Sequence, residues 1–331
     1  MHDMNRPPVL LLSNVESTWT PQQAAEIQQE VDLLIEALRA QGHTVAPIEV
    51  RRDVAGRLVE FDPHAAVVFN WCEGLDGQPK AYDRAAHALE LSGFAFTGSG
   101  SWTLAHTQNK GKFKAILDYA GVSTPRWLVF TSPQQAAEWT IFPAIVKPVG
   151  EHCSEGITLA SVVTDQASLR RQIETMLDQY GVGALVEEFI GGREIYASIW
   201  GDGAPHVLPL HEVDFSTIAN PLQRLVDYEA KWDEQSDRFK RMPEYCPTDV
   251  DTELAGRIRT EALAAYRALR CRDYGRIDLR IRDGAPYVVD VNPNCDVTAT
   301  GGFALAARVA GFDYGQMLSQ IVSWAAERMP A

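Results

Sequence analysis

The stretch Tyr274-Gly275-Arg276-Ile277-Asp278-Leu279-Arg280-Ile281-Arg282-Asp283-Gly284-Ala285-Pro286-Tyr287-Val288-Val289-Asp290-Val291-Asn292-Pro293 carries the most structural information in the chain. Tyr274–Ile281 and Tyr287–Val291 read as strands, and Arg282-Asp283-Gly284-Ala285 reads as the turn of a hairpin. The two-residue period of a strand puts Arg276, Asp278 and Arg280 on one face. It also puts Asp290 and Asn292 on one face of the second strand, and the hairpin lets the two faces converge. Two carboxylates and an amide oxygen form a hard oxygen site, suited to Mg2+ carrying phosphates and open to Mn2+ as a substitute. The same spacing also fits a solvated hairpin face with ordinary ion pairs. Pro293 ends the second strand and leaves the Asn292 amide at an edge.

Upstream of the hairpin the chain reads as alternating strands and helices. Val9–Leu12, Val45–Ile48 and Ala65–Phe69 read as buried strands. Between the first two, Ile27, Val31, Leu34, Ile35 and Leu38 recur at helical spacing over Pro21–Ala40. This order predicts an open, parallel α/β sheet. Phe94–Thr97 resembles another short strand, and a first lobe closes near residue 108. Lys110–Tyr119 reads as a helix, Trp127–Phe130 and Ala144–Lys147 as strands, and Thr158–Ser161 as a returning strand. A helix over 167–179 follows, then strands Leu185–Phe189 and Glu194–Trp200 either side of Gly191-Gly192. These predict a central lobe over 109–190 and a mixed last lobe over 191–331. In that last lobe Asp227–Trp232 lies in a long polar loop, and Thr252–Leu269 is an amphipathic helix.

Composition sets broad limits on function. The chain has 331 residues, 46% hydrophobic and 22% charged, enough for two or three lobes. Lys plus Arg is 30 and Asp plus Glu is 44, a formal charge of −14. A net acidic protein is a poor generic nucleic-acid sheath, although a local basic pocket is compatible with it. Cys72, Cys153, Cys246, Cys271 and Cys295 form no CxxC pair, which fits a reducing cytoplasm better than a disulfide framework. No apolar run is long enough to span a membrane, and Val9–Leu12 is too short for a signal-peptide core. The expectation is a soluble cytoplasmic enzyme with small-molecule partners.

The motifs of a dinucleotide fold, a P-loop, a serine-hydrolase elbow and a zinc protease are all missing from the sequence. Lys147 ends the apolar run Ile141-Phe142-Pro143-Ala144-Ile145-Val146, where a lysine either snorkels or meets an anion. The loop Gly150-Glu151-His152-Cys153-Ser154-Glu155-Gly156 has glycine flanks whose backbone N–H groups can clamp phosphate oxygens. Lys110 and Lys231 are further candidate cations, and each alone also reads as a surface lysine. Glu187, Glu188 and Glu194 flank the expected lobe boundary. There they form either a ribose-binding hinge or a charged turn.

Taken in order, these pieces resemble the ATP-grasp superfamily and, within it, the D-alanine–D-alanine ligase group. The resemblance is carried by Gly74-Leu75-Asp76-Gly77, Phe96-Thr97-Gly98, Asn109-Lys110, Phe142–Pro148, Leu185–Glu194, Asp227–Lys231, Gly275–Asp278 and Asp290–Pro293. It implies three lobes, with ATP and two Mg2+ ions between the central and C-terminal ones. It implies that Lys110 and Lys147 contact phosphates and that Lys231 approaches the γ-phosphate. The backbone around Glu187, Glu188, Phe189 and Ile190 would meet adenine, and Glu194 the ribose. Asp278, Asp290 and Asn292 would hold the metal, Asp290 standing where the family usually has Glu. Arg276 would stabilise an oxyanion, and the loop containing Ser154 would close over the phosphates. The implied chemistry joins a carboxylate to an amine through an acylphosphate. A homodimer is common in the family.

Departures concentrate on the amino-acid side. Cys153-Ser154-Glu155-Gly156 replaces the family's Ser-Ser-x-Gly, and Trp232 stands in place of a tyrosine. Asn70 replaces a histidine, and Ser13-Asn14-Val15-Glu16 occupies the place of a Gly-Gly-x-Ser-x-Glu opening. Asn294–Gly301, including Asp296, Thr300 and Gly301, replaces the loop to the second substrate. Glu16, Asn70, Cys153, Trp232, Asp296, Thr300 and Gly301 are therefore the candidate substrate residues. The expected function is a carboxylate–amine ligase for amino-acid-like substrates, with a place in specialised metabolism. The competing readings are a divergent D-alanine–D-alanine ligase and an inactive ATP-binding regulatory relative.

Overall fold

The computed structural model describes residues 6–330. The N-terminal elements are β1 (Val9–Asn14), α1 (Pro21–Ala40), β2 (Val45–Val50), α2 (Val54–Leu58), β3 (Val67–Trp71), β4 (Gly74–Leu75), β5 (Gln78–Pro79), α3 (Tyr82–Leu91), α4 (Ser101–Thr107) and α5 (Lys110–Tyr119). Strands β2, β1 and β3 form a parallel sheet in that order. Every residue of β1 is buried, as a central parallel strand covered on both faces requires. Helix α1 starts at a Thr20/Gln23 capping box with Pro21 in the first turn. Its Val31, Leu34, Ile35 and Leu38 enter the core.

The middle of the chain supplies β6 (Trp127–Phe130), β7 (Ala144–Pro148), β8 (Val162–Val163), α6 (Gln166–Tyr180) and β9 (Ala184–Glu188). The strands form an antiparallel sheet ordered β6-β9-β7-β8. Leu169, Ile173 and Met176 of α6 seal one face of it. The remaining elements are β10 (Arg193–Gly201), β11 (His206–Val207), β12 (His211–Val213), α7 (Tyr228–Trp232), α8 (Asp237–Lys240), β13 (Glu244–Tyr245), α9 (Thr252–Ala268), β14 (Asp273–Arg282), β15 (Ala285–Asn292), α10 (Gly302–Val309) and α11 (Tyr314–Ala326). Their sheet runs β13-β12-β10-β14-β15, with β11 on β10. Ile258, Ala262, Ala265 and Leu269 pack it against Phe113 and Leu117 of α5. Helix α11 returns to the first sheet, where Met317, Leu318, Ile321 and Val322 share a core with α1.

The structure differs from the sequence reading at several short elements. Leu159–Ser161 is a 3₁₀ turn, stabilised by the Thr158 N–H bond to Ser161 Oγ, and the returning strand is β8. Phe94–Thr97 makes a single bridge, Phe96 to Val68, instead of a strand. Asp227–Trp232 is not loop throughout, because Asp227 caps the short helix α7 through the Ala230 N–H. Strands β9 and β10, as read from the sequence on either side of Gly191-Gly192, belong to different sheets, and the glycine pair is where the chain crosses between them.

Close backbone packing explains the glycine at that crossing. A Cβ on Gly192 would lie 1.7 Å from the Ile281 carbonyl oxygen. Gly192→Ala should therefore destabilise the protein by about 1–3 kcal/mol or more, read as a lower urea midpoint. The contrast is Gly256 in α9, where a Cβ meets nothing within 4 Å. Gly256→Ala should raise the midpoint by up to about 1 kcal/mol equivalent.

Candidate active site

Strands β14 and β15 pair with Asp278 opposite Asp290 and Arg276 opposite Asn292, next to a register shift after Asp278. The expected convergence of the two faces is thus present. Arg276 grips Asp278 with two bonds, Nε to Oδ1 at 2.7 Å and Nη2 to Oδ2 at 2.9 Å. Asn292 Nδ2 donates to the same Oδ2 at 3.0 Å. The Arg276 guanidinium also lies 4.4 Å over the Tyr196 ring, which fixes its plane. Burial pushes the Asp278 carboxyl pKa up; Arg276 opposes this, while Asp290 and Glu194 reinforce it. Burial works against the Asp290 carboxylate too, yet Lys110, His152 and Lys147 hold its pKa below the ordinary Asp value. The donor set is all oxygen and carries two negative charges, which matches a hard divalent cation. Among the described residues, no three His, Cys, Asp or Glu side chains already stand together at metal-ligand spacing.

Facing lysines come from α5 and β7. Lys110 Nζ donates to the Glu151 carbonyl at 2.6 Å, which ties α5 to the glycine-flanked loop. Lys147 Nζ lies 2.7 Å from Glu187 Oε2. The sequence reading missed the other partner of that carboxylate, Lys114, 2.5 Å from Oε1 and 0% exposed. Lys114 stands one helical turn after Lys110, and that spacing is its sole sequence signal. Burial works to raise the Glu187 pKa, but Lys114 and Lys147 overcome it and hold the group ionised.

Beyond Glu187 lies a small apolar cluster. Ile145, Phe189 and Leu225 form a buried cluster, flanked by Ile157, Val162 and Leu222. The Phe189 N–H bonds to the Pro143 carbonyl at 3.0 Å, and the Ile190 carbonyl accepts from Arg280 Nε at 2.8 Å. Arg280 also reaches Glu194 Oε2 at 2.5 Å, and Tyr196 donates to Glu194 Oε1 at 2.8 Å. Glu188 pairs instead with Arg282. Arg280 shares a strand face with Asp278, yet its bonds to Ile190 and Glu194, which tie this region to the hairpin, are visible only in three dimensions.

The glycine-flanked loop is held down from several sides. Cys153 and Ser154 take positive φ values of 57° and 62°, a conformation costly for non-glycine residues. Ser154 Oγ donates to the Val226 carbonyl at 2.9 Å, and Trp232 Nε1 donates to the Cys153 carbonyl at 2.9 Å. The indole N–H thus ties position 232 to the loop, where the family's tyrosine would use a hydroxyl. Lys231 Nζ sits 5.4 Å over the Trp232 ring. Lys80, from the other side, pairs with Glu151 and with Glu155 at 2.5 Å. Within the loop, burial and then Lys110 lower the His152 pKa to about 4, so its imidazole is neutral.

The remaining candidate residues fall into two groups. Glu16 Oε1 accepts from Asn14 at 3.2 Å and abuts Gly74, where a Cβ would be 3.0 Å away. Asn70 is buried, its Oδ1 accepting from the Cys72 N–H at 3.3 Å. Asp296 Oδ1 accepts from the Thr298 N–H at 2.8 Å, and a Cβ on Gly301 would lie 2.9 Å from Asp296. Thr300 is exposed, and Gly301 is the N-cap of α10.

Residues 114–323 match the family described as D-ala D-ala ligase C-terminus. The D-alanine–D-alanine ligase of Moorella thermoacetica is 33% identical over 303 residues, covering 88% of this chain and 91% of the relative. The uncharacterized protein y4sG of Sinorhizobium fredii is 30% identical over 304 residues, covering 90% and 87%. The fold matches the Bacillus anthracis D-alanine–D-alanine ligase complexed with ATP at a TM-score of 0.72 and 22% identity, covering 97% of this chain and 98% of that one. It also matches the VanG D-Ala:D-Ser ligase of Enterococcus faecalis at 0.74 and 18% identity, covering 96% and 99%. Among the described residues, no helix is long and apolar enough to cross a membrane. The chain belongs to the D-alanine–D-alanine ligase family of ATP-grasp, ADP-forming carboxylate–amine ligases.

Proposed function

We propose that this protein joins a carboxylate to an amine on amino-acid-like substrates other than a pair of D-alanines, within specialised metabolism. The observation that carries this reading is an unequal pattern of change. Lys110, Lys147, Asp278 and Asn292 keep the family's ATP-side pattern, with Asp290 a conservative change, whereas positions 16, 70, 153, 232 and 294–301 depart from the family together. The lobes are taken as 1–108 on the substrate side, 109–190 in the centre and 191–331 at the C-terminus.

Adenine lies against Phe189, Ile145 and Leu225, with the backbone of Glu188–Ile190 at its edge and Glu194 on the ribose. Lys110, Lys147 and Lys231 neutralise the phosphates, and Lys114 keeps Lys147 and Glu187 in register. Asp278, Asp290 and Asn292 are the residues that would hold divalent cations, which when bound supply charge neutralisation at the transferred phosphoryl group. The substrate carboxylate oxygen attacks the γ-phosphorus and ADP leaves. The amine then attacks the acyl carbon and phosphate leaves. Arg276, held in plane by Asp278 and Tyr196, stabilises the oxyanion of the tetrahedral intermediate.

Water must be kept from the acylphosphate, and Ser154, Trp232 and Lys80 do this by pinning the loop. Lys80→Ala should change stability by no more than about 1 kcal/mol, since its ion pairs are partly exposed. Its expected effect is to uncouple the enzyme, seen as more phosphate released per amide formed.

The second reading, a D-alanine–D-alanine ligase, is favoured by the name of the Moorella relative. A panel of carboxylate and amine pairs, read by phosphate release and product mass, separates the two. Release with D-alanine alone, giving D-alanyl-D-alanine, supports the second reading. Release requiring a different pair supports the first. Nucleotide binding without turnover across the panel marks a regulatory relative and overturns both.

A further inference from the structure

Strand β13 carries a carboxylate that the reaction described above does not use. Glu244 Oε2 lies 3.1 Å from His211 Nδ1, and His211 Nε2 lies 3.2 Å from Ser198 Oγ. A carboxylate only accepts, so Nδ1 carries the proton and Nε2 accepts from the Ser198 hydroxyl. The His211 side chain is 0% exposed, while that of Glu244 is 36% exposed. A buried imidazole, satisfied at both nitrogens, therefore orients a carboxylate that stays open to solvent. Among the described residues, no lysine or arginine stands at ion-pair distance from Glu244. Partial burial works against its charge, but the His211 bond, Arg276 and Lys231 hold its pKa below the ordinary Glu value, so it is ionised at neutral pH.

The sheet register places this carboxylate relative to the chemistry. Directly opposite residues of paired strands share a face. Asp290, Asp278, Tyr196 and His211 stand opposite one another in turn across β15, β14, β10 and β12. Glu244 pairs with Val213, two residues from His211, and so joins the same face from β13. Arg276 stands opposite Ser198 on that face, and its guanidinium lies over Tyr196, whose ring meets His211 edge-on at 5.2 Å. In the reaction course given above the phosphate leaves toward the hairpin acids, so the amine enters from the other side of Arg276, where Glu244 lies. Glu244 also borders the loop that departs from the family. A Cβ on Gly302, which follows Thr300-Gly301, would lie 2.7 Å from Glu244 Oε2 and 2.6 Å from His211 Cε1. The Tyr196 and His211 rings separate Glu244 from Arg276, and three strand spacings of about 4.8 Å lie between β13 and β14. The carboxylate thus meets a part of the acceptor remote from the attacking nitrogen.

We propose that Glu244, held by His211, binds a second cationic group on the acceptor, so that the acceptor is a diamine or a basic amino acid. This rests on the ligase reading given above. The test measures kcat/KM on the full-length protein with ATP, Mg2+ and the carboxylate panel. The acceptors are lysine, norleucine and glutamate of both hands, and 1,5-diaminopentane against hexylamine. Lysine should exceed norleucine, and the diamine should exceed hexylamine, by at least about tenfold, the scale of one charge-assisted bond. Glu244→Gln should bring both ratios to about one, and Glu244→Lys should make glutamate a better acceptor than norleucine. Each ratio comes from one preparation, so partial unfolding of a variant cancels. Ratios of about one in the wild-type protein would overturn the proposal while leaving the ligase reading intact, as would ratios that survive in Glu244→Gln. Turnover with no acceptor at all would overturn both.

Discussion

Asp278→Asn is expected to lower ADP formation by about 10³-fold, on the scale of about 4 kcal/mol of lost transition-state stabilisation. The substitution preserves shape but removes the charge that three groups organise around. Arg276 loses its bidentate carboxylate partner, only one amide oxygen remains to accept from Arg276 and Asn292, and the hairpin loses one of two anionic oxygen donors. The effect should fall on the phosphoryl-transfer step, because that is where charge gathers between the hairpin and the lysines. Near-UV circular dichroism should show the variant folded, since β14 is anchored along its length by β10 and β15. ADP release at the wild-type rate with Mg2+ would exclude Asp278 as a cation ligand.

Glu187→Ala is expected to cost about 3–5 kcal/mol of stability, the range for breaking a buried pair from one side. The carboxylate is 1% exposed, and Lys114, which it neutralises, is 0% exposed. Without it, two lysines share an apolar wall with no anion between them. Glu187→Gln should recover packing but little of the loss, which separates charge from volume. A pH dependence follows from the lowered Glu187 pKa. The stabilisation is fully present above the unfolded glutamate pKa of about 4.3 and is lost as pH falls through the lower folded value. The wild-type protein should therefore lose stability on acidification, and Glu187→Gln should lose less over the same range. Urea midpoints measured from neutral pH downward check both statements; an unchanged midpoint at pH 7 in Glu187→Ala would refute the charge argument.

The hairpin was readable because strand side chains alternate: Arg276, Asp278 and Arg280 announce a shared face whatever surrounds them. Helices α1 and α5 were readable for the same kind of reason, having apolar spacing and clear ends. Lys114 was not, because a lysine inside Lys110-Gly111-Lys112-Phe113-Lys114 looks like any solvated helix face. Its burial is imposed by the carboxylate of Glu187, far away in sequence. Position 232 carried a visible departure from the family, but its consequence needed coordinates. The indole reaches a backbone carbonyl in the loop, and no side-chain pattern encodes that contact.

By itself the sequence determined the main strands and helices, the paired hairpin acids and the family to which the chain belongs. These rest on local periodicity and on short motifs whose residues sit within a few positions of each other. Only the tertiary structure decided that Glu187 is shared by two lysines and that Lys80 and Trp232 pin the loop holding His152. Each of those outcomes depends on which distant group meets a buried charge or an unsatisfied polar atom. The energy of such a meeting is set by burial and distance, and neither is a property of any short stretch of chain.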